Sequence, residues 1–257
     1  MMKLDAKKFR KVMAKATLNY SIDFVQLRFV DGRVKSSMIS NHQQIVTKID
    51  IPNDGILETT LQDDITINFS SPSVLLVPYL EDIGDLETTA KIDDENLLLF
   101  LDSGWNEYSV RFVTDSVIRN YLTRRSISDE FPYFYDEPLT DEMRERYFES
   151  LKRLGARHGK IYISVIDGKI YFEATDRTNA FSNKMNSKPL GTTDINDVAI
   201  CFEYKNFVSL SNIIEHGRAE GQEFTIKFAH IHERDKGIIH VSTADNSEQY
   251  FLLNREN

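Results

Sequence analysis

Phe29-Val30-Asp31-Gly32-Arg33-Val34 and Val165-Ile166-Asp167-Gly168-Lys169-Ile170 carry one pattern at two places in a chain of 257 residues. Each is an apolar run, an Asp-Gly pair and a resumed alternation. Asp and Gly tolerate positive φ, which a two-residue turn between antiparallel strands requires, so each stretch predicts a β-hairpin. The flanks repeat as well. An amphipathic helical pattern with basic residues precedes each hairpin. Well after it come Asp64-Ile65-Thr66-Ile67 and Asp197-Val198-Ala199-Ile200, leading to Phe69 and Phe202. A second helical stretch and a closing set of strands follow in both halves. A period this long predicts a duplicated domain, not a solenoid of short repeats.

Composition agrees with two domains of ordinary size. The chain is 41% hydrophobic and 28% charged, as in soluble globular proteins. No apolar run reaches the length of a membrane span, and Met1 to Lys15 lacks the apolar centre of a signal peptide. Cys201 is the single cysteine, which excludes an internal disulfide and suits a reducing compartment. The net charge of −9 predicts that any polyanion contact is confined to a local basic surface.

Leu4 to Leu18 is the first helical candidate. At 100° per residue Phe9, Val12, Met13 and Ala16 share a stripe. Lys7, Lys11 and Lys15 lie opposite, with Lys8 beside them and Arg10 on one flank. Lysines stacked at i, i+4 and i+8 repel one another. A face serving solubility alone usually mixes its signs, so this one points to a polyanion. Val74 to Ile83 reads as a second helix that Pro78 must kink or restart. Thr140 caps a third, with Met143, Tyr147, Leu151 and Leu154 as its apolar stripe. Arg146, Lys152, Arg153 and Arg157 lie on its polar side, diluted by Glu145 and Glu149. Tyr204 to His216 is the fourth; Phe207, Leu210, Ile213 and Ile214 face one way, and Lys205, Ser209, Asn212 and His216 the other.

Strands are expected over 24–29, 34–38, 45–51, 56–60, 65–69, 88–92, 96–101 and 108–113 in the first half. In the second they are expected over 160–164, 169–174, 179–185, 198–202, 223–228, 237–242 and 248–253. Ser116 to Pro138, with Arg119, Arg124, Arg125 and the aromatics Phe131, Tyr133, Phe134 and Tyr135, breaks the pattern. It reads as a surface crossover. The expected division is therefore a first domain over 1–115, a connector over 116–138 and a second domain over 139–257.

Enzyme signatures are missing. The chain has no phosphate-binding Walker loop, no Gly-x-Gly-x-x-Gly fingerprint and no Cys-x-x-Cys pair. His230-Ile231-His232, with His240 nearby in sequence, could begin a zinc site, but such a site needs a third ligand and an open position. The expectation is a protein without catalytic residues, resident metal or cofactor.

In element order the chain resembles the DNA sliding clamps typified by proliferating cell nuclear antigen and the bacteriophage polymerase clamps. The resemblance is closest over Val34 to His42, over Lys205 to Arg218 with Phe224-Thr225-Ile226, and over Gln249 to Leu253. It implies an α+β duplicated clamp fold: two similar domains, β-sheets outside, two channel-facing helices each. The chain departs from the family pattern in four places, one being a connector richer in aromatics and arginine than usual. Val74 to Ile83 carries no Lys or Arg, Asn254 stands at a usual proline, and Gln43 stands at a usually apolar pocket position.

The resemblance implies a processivity factor that slides on double-stranded DNA without reading bases. Lys7, Lys8, Arg10, Lys11, Lys15, Arg146, Lys152, Arg153, Arg157, Lys205, Asn212 and His216 would face the duplex. A partner-peptide pocket would draw on Met38, His42, Val117, Ile118, Phe251 and Leu253. Subunits would join by pairing 108–113 with 179–185, through Tyr108, Val110, Phe112, Phe181, Asn183 and Met185. The implied partners are a DNA polymerase, an ATP-dependent clamp loader and further copies of the chain. The implied location is a cytosol, that of a bacterial host if the protein is viral, or a nucleus, with no membrane. Helices about 10 Å across set the subunit number: twelve around a channel leave an opening of about 28 Å, wider than a duplex. Eight leave about 15 Å, narrower than one, so a homotrimer is expected. Three alternatives stand beside this reading. They are a monomeric or dimeric DNA-binding factor of the same fold that does not encircle DNA, a metal-dependent hydrolase using His230, His232 and His240, and a hetero-oligomeric checkpoint clamp.

Overall fold

The computed structural model describes residues 2–59, 64–123, 131–157, 159–175 and 185–254. The chain forms two compact units, one of residues 1–42 and 46–125, the other of 43–45 and 126–257.

The first unit runs β1 (Met2–Leu4), α1 (Ala6–Ala16), β2 (Phe24–Val30), β3 (Arg33–Ile39), β4 (Ile45–Pro52), β5 (Leu57–Thr59), β6 (Ile65–Ser70), α2 (Pro72–Leu75), α3 (Val77–Ile83), β7 (Thr88–Asp93), β8 (Leu98–Asp102), β9 (Glu107–Arg111) and α4 (Asp115–Ile118). Its strands pair in the orders β4-β3-β2-β6 and β5-β1-β7-β8-β9. The second unit runs β10 (Tyr133–Pro138), α5 (Asp141–Met143), a wide π-turn (Arg144–Phe148), α6 (Glu149–Gly155), β11 (Lys160–Ile166), β12 (Lys169–Ala174), β13 (Met185–Asn186), β14 (Gly191–Thr192), β15 (Val198–Glu203), α7 (Tyr204–Ala219), β16 (Phe224–Ile231), β17 (Lys236–Thr243) and β18 (Glu248–Leu253). Its orders are β13-β12-β11-β15 and β10-β16-β17-β18. Both orders of the first unit recur in the second, so the duplication is topological. The exception is β5, which pairs with β1 in the first unit; among the described residues no strand takes that place on β10.

Both signature turns have the predicted geometry. Asp31 and Gly32 take φ of 52° and 69°, and Asp167 and Gly168 take 50° and 68°. Positive φ at both central residues is the mirror-image turn whose twist matches that of the strands it joins.

Aromatic rings fill both cores. In the first unit Phe9 of α1 stacks on Phe29 and meets Phe69 edge-on. In the second, Phe148, Phe172, Phe207 and Phe228 interlock with ring centroids 4.9–6.4 Å apart. Gly237 lies where the two sheets of this unit approach closely, and a Cβ there would sit 1.8 Å from the Ile200 side chain.

Several elements differ from the sequence reading. The first helix starts at Ala6, because Asp5 is its cap and accepts from the Lys8 N–H. The second is two short pieces, since Pro78 has no N–H to continue the ladder across Leu76. The sequence predicts no strand before either basic helix, whereas β1 and β10 stand there, β1 overlapping the expected helix at Leu4 and β10 lying inside the expected crossover. Tyr133–Pro138 is the edge strand of a sheet, paired with β16 and bulged between Tyr133 and Tyr135. The predicted edge strand 179–185 falls largely outside the described residues; its last residue, Met185, begins β13.

Candidate nucleic-acid interface and peptide groove

Ion pairs link the two helical segments of each unit in one sense, bases on the first and acids on the second. In the first unit Arg10 of α1 meets Glu81 of α3 at 2.9 Å, and Lys7 reaches Asp85, just beyond α3, at 3.3 Å. In the second Lys152 of α6 meets Glu215 of α7 at 2.6 Å and its own helix's Glu149 at 2.8 Å. Burial pulls the Lys152 pKa down, but the bonds to Glu149 and Glu215 outweigh it and hold it above the ordinary lysine value. The bond to Lys152 holds Glu149 below its ordinary value. Tyr204, at the start of α7, donates its hydroxyl to the Lys152 carbonyl at 2.6 Å, and Gly155 leaves room for its ring.

The candidate DNA contacts therefore divide. Lys7, Lys8, Arg10, Arg146 and Lys152 are ion-paired; Lys8 also donates to the Asp54 carbonyl, and Arg146 pairs with Glu142. Lys11 is exposed and Lys15 half-buried on the same helix. Arg153, Arg157, Lys205 and His216 are exposed and form no ion pair among the described residues. Asn212 is half-buried. Except for Lys152, these pairs are largely solvated, and solvated pairs contribute little, so a phosphate can replace the carboxylate at small cost. Glu81 lies in a stretch, Val74 to Ile83, whose lack of Lys and Arg is visible in sequence, and Asp85 lies two residues beyond it. Their role as partners of α1 is not visible there, because it rests on two helical segments distant in sequence lying side by side.

The candidate peptide residues fall in both units. In the first, Met38 is buried and its Sδ accepts from the Gln26 N–H. Residues after α4 lie along β3 and the start of β2: Leu122 bridges to Met38 and Thr123 bonds to Ser37 on β3, and Tyr121 stacks on Phe24 of β2. Ile118 is buried, whereas Val117 is 45% exposed and His42 lies exposed in a turn. In the second unit Phe251 is buried and stacked on His240, with centroids 4.1 Å apart. Leu253 is half-buried, and its N–H donates to the Gln44 carbonyl.

Of the candidate subunit contacts, Tyr108 lies on β9, the last strand of its sheet, half-buried against Tyr79 and bonded through its hydroxyl to Asp82. Val110 and Phe112 turn their side chains inward, at 2% and 6% exposure, so the edge offers its backbone there. Phe181 and Asn183 lie outside the described residues.

The histidines do not converge. His230 bonds to Asp235 and lies edge-on to His232. His240 is in register with Lys227 and so faces the other side of the sheet. Among the described residues no group of three or more His, Cys, Asp or Glu is placed to hold a metal ion.

No protein-family model matches the chain, and no curated protein matches it. Solved structures do. The chain is similar to A. fulgidus PCNA, solved with the C-terminal region of FEN-1, at a TM-score of 0.63 and 13% identity, covering 100% of this chain and 99% of that one. It is similar to PCNA of Thermococcus kodakaraensis at 0.63 and 12%, covering 100% of both chains. It is also similar to a chain of the PCNA2–PCNA3 complex of Sulfolobus tokodaii at 0.62 and 15%, covering 99% of both. The chain has the fold of the PCNA sliding clamps from end to end.

Proposed function

We propose that the protein is a DNA polymerase processivity factor: a homotrimeric ring that encloses duplex DNA, slides on it and tethers a polymerase through an apolar peptide groove. The observation that carries this reading is the repeat itself, two units of one topology, each with ion-paired neighbouring helices and a cationic polar face, in a chain of net charge −9. An acidic body with a few weakly held bases is poorly suited to gripping DNA by charge alone, but enclosure needs no grip. The bases then exchange phosphates without reading sequence.

β9 is the last strand of its sheet among the described residues, and such an edge is open to pairing. β9 and the 179–185 segment of a neighbouring copy would join there, closing three copies into a ring. Val117, Phe251 and Leu253 would serve the groove, with Met38 and Ile118 as buried support and His42 at the rim. The polymerase and an ATP-driven loader would be its users, in a cytosol or nucleus. No helix among the described residues is long and apolar enough to cross a membrane.

Enclosure is tested with a linear duplex whose ends are free or blocked by bound streptavidin. A ring threads onto free ends and not onto ends blocked beforehand. Once threaded, it is retained when the ends are then closed. Equal binding to open and pre-blocked duplex would favour the non-encircling alternative.

A further inference from the structure

The sheet β10-β16-β17-β18 has one face turned into the aromatic core at Phe228 and one turned away. Across the latter, Asp136, Lys227, His240 and Phe251 stand in register, one per strand. Phe251 and Leu253, both candidates for the peptide groove, belong to this face. Phe131 and Tyr133, just before and at the start of β10, lie over it. The Phe131 ring lies 6.5 Å from that of Phe251 at 68°, an edge-on seat, and meets Tyr133 edge-on at 6.0 Å. Tyr133 hydrogen-bonds through its hydroxyl to His240 Nδ1 at 2.9 Å, with the Lys227 ammonium 5.5 Å from its ring centre. Phe251 is left with no exposure, while Phe131 and Tyr133 stay half-exposed.

We propose that Phe131 is a resident stand-in for a partner's side chain: it occupies the place over Phe251 that an aromatic anchor of a binding peptide takes, and the Tyr133–His240 bond is its latch. This rests on the peptide-binding reading above. The occupant's chemistry follows from what sits there now. The face accepts an aromatic edge against Phe251 and a hydroxyl at His240, so its ligand is a short peptide carrying an aromatic residue. A half-exposed ring with a solvent side can swing out about its own χ1, and the apparent affinity of a partner is reduced by the fraction of chains in which the ring is seated.

The test compares wild type, Phe131→Ala, Tyr133→Phe and Phe251→Leu as full chains, each checked for an unchanged circular dichroism spectrum. The probe is a short fluorescein-labelled peptide with a phenylalanine and a tyrosine, selected from a displayed library on the wild-type chain. The proposal predicts that Phe131→Ala tightens binding about tenfold and Tyr133→Phe by less. It also predicts that the observed association rate, which levels off with peptide concentration in wild type, becomes linear in Phe131→Ala. Phe251→Leu weakens binding in either background. Unchanged or weaker binding by Phe131→Ala, with Phe251→Leu still damaging, would make Phe131 a wall of the groove and overturn the stand-in alone. Binding indifferent to Phe251→Leu, or no selected peptide at all, would overturn the groove itself and the stand-in with it.

Discussion

Single residues decide two features of this fold in opposite ways. The Asp-Gly turns at 31–32 and 167–168 need positive φ at both positions, a local demand that the residue types announce. Gly237 is different, since nothing in Lys236-Gly237-Ile238 announces that Ile200 sits over it. Gly237→Ala must displace one sheet against the other, and is expected to cost at least about 1–3 kcal/mol in urea unfolding. Gly32→Ala is strained only through its φ of 69°, since nothing lies within 4 Å of the added methyl, and is expected to cost about 1–2 kcal/mol. Asp245 carries a pH dependence. The Thr243 hydroxyl, then the Ser247 N–H and hydroxyl, hold its pKa down to about 2. Its contribution is therefore whole above the ordinary carboxylate value of about 4 and is lost as pH falls through about 2. Asp245→Asn is expected to flatten that part of the acid limb in denaturation measured between pH 5 and pH 2. An unchanged limb would mean that the turn bonds form in the unfolded chain too.

Elements were legible where period and capping agreed. The stripe Phe9, Val12, Met13 and Ala16 is the buried face of α1, and Thr140 caps the third helix by accepting from the Met143 N–H. β1 was hidden because three residues are too few to show a period. β10 was hidden because its bulge at Phe134 breaks the alternation of Tyr133, Tyr135 and Glu137. The basic faces were legible as composition, but their pairing with Glu81, Asp85 and Glu215 was not, and that pairing sets an expectation. If α1 faces DNA, Glu81→Gln with Asp85→Asn releases Arg10 and Lys7. Association with duplex should strengthen, and its dependence on salt should steepen by about one to two ions. Reversing Lys7, Lys11 and Lys15 to Glu should weaken association while leaving the assembly intact. Fluorescence anisotropy across a salt series reads both. No change in either variant would remove α1 from the interface.

At the scale of the molecule the repeated hairpin was the decisive clue, because a duplicated unit constrains every element at once. Strand order in the second unit follows from the first, with β5 as the exception. The site was less legible than the fold: the resemblance implies Phe251 and Met38 as groove residues, yet both are buried, and the ring over Phe251 is that of Phe131, far away in sequence. Phe251→Ala with Leu253→Ala is expected to abolish polymerase tethering in a pull-down without altering assembly mass; tethering that survives would move the groove elsewhere. The central claim is closure of three copies into a ring, and sedimentation equilibrium on the purified chain tests it most directly. The account predicts a single species at three times the chain's 29.7 kDa, invariant over a tenfold range of concentration. A species that stays at 29.7 kDa, or closes at twice that mass, would contradict it.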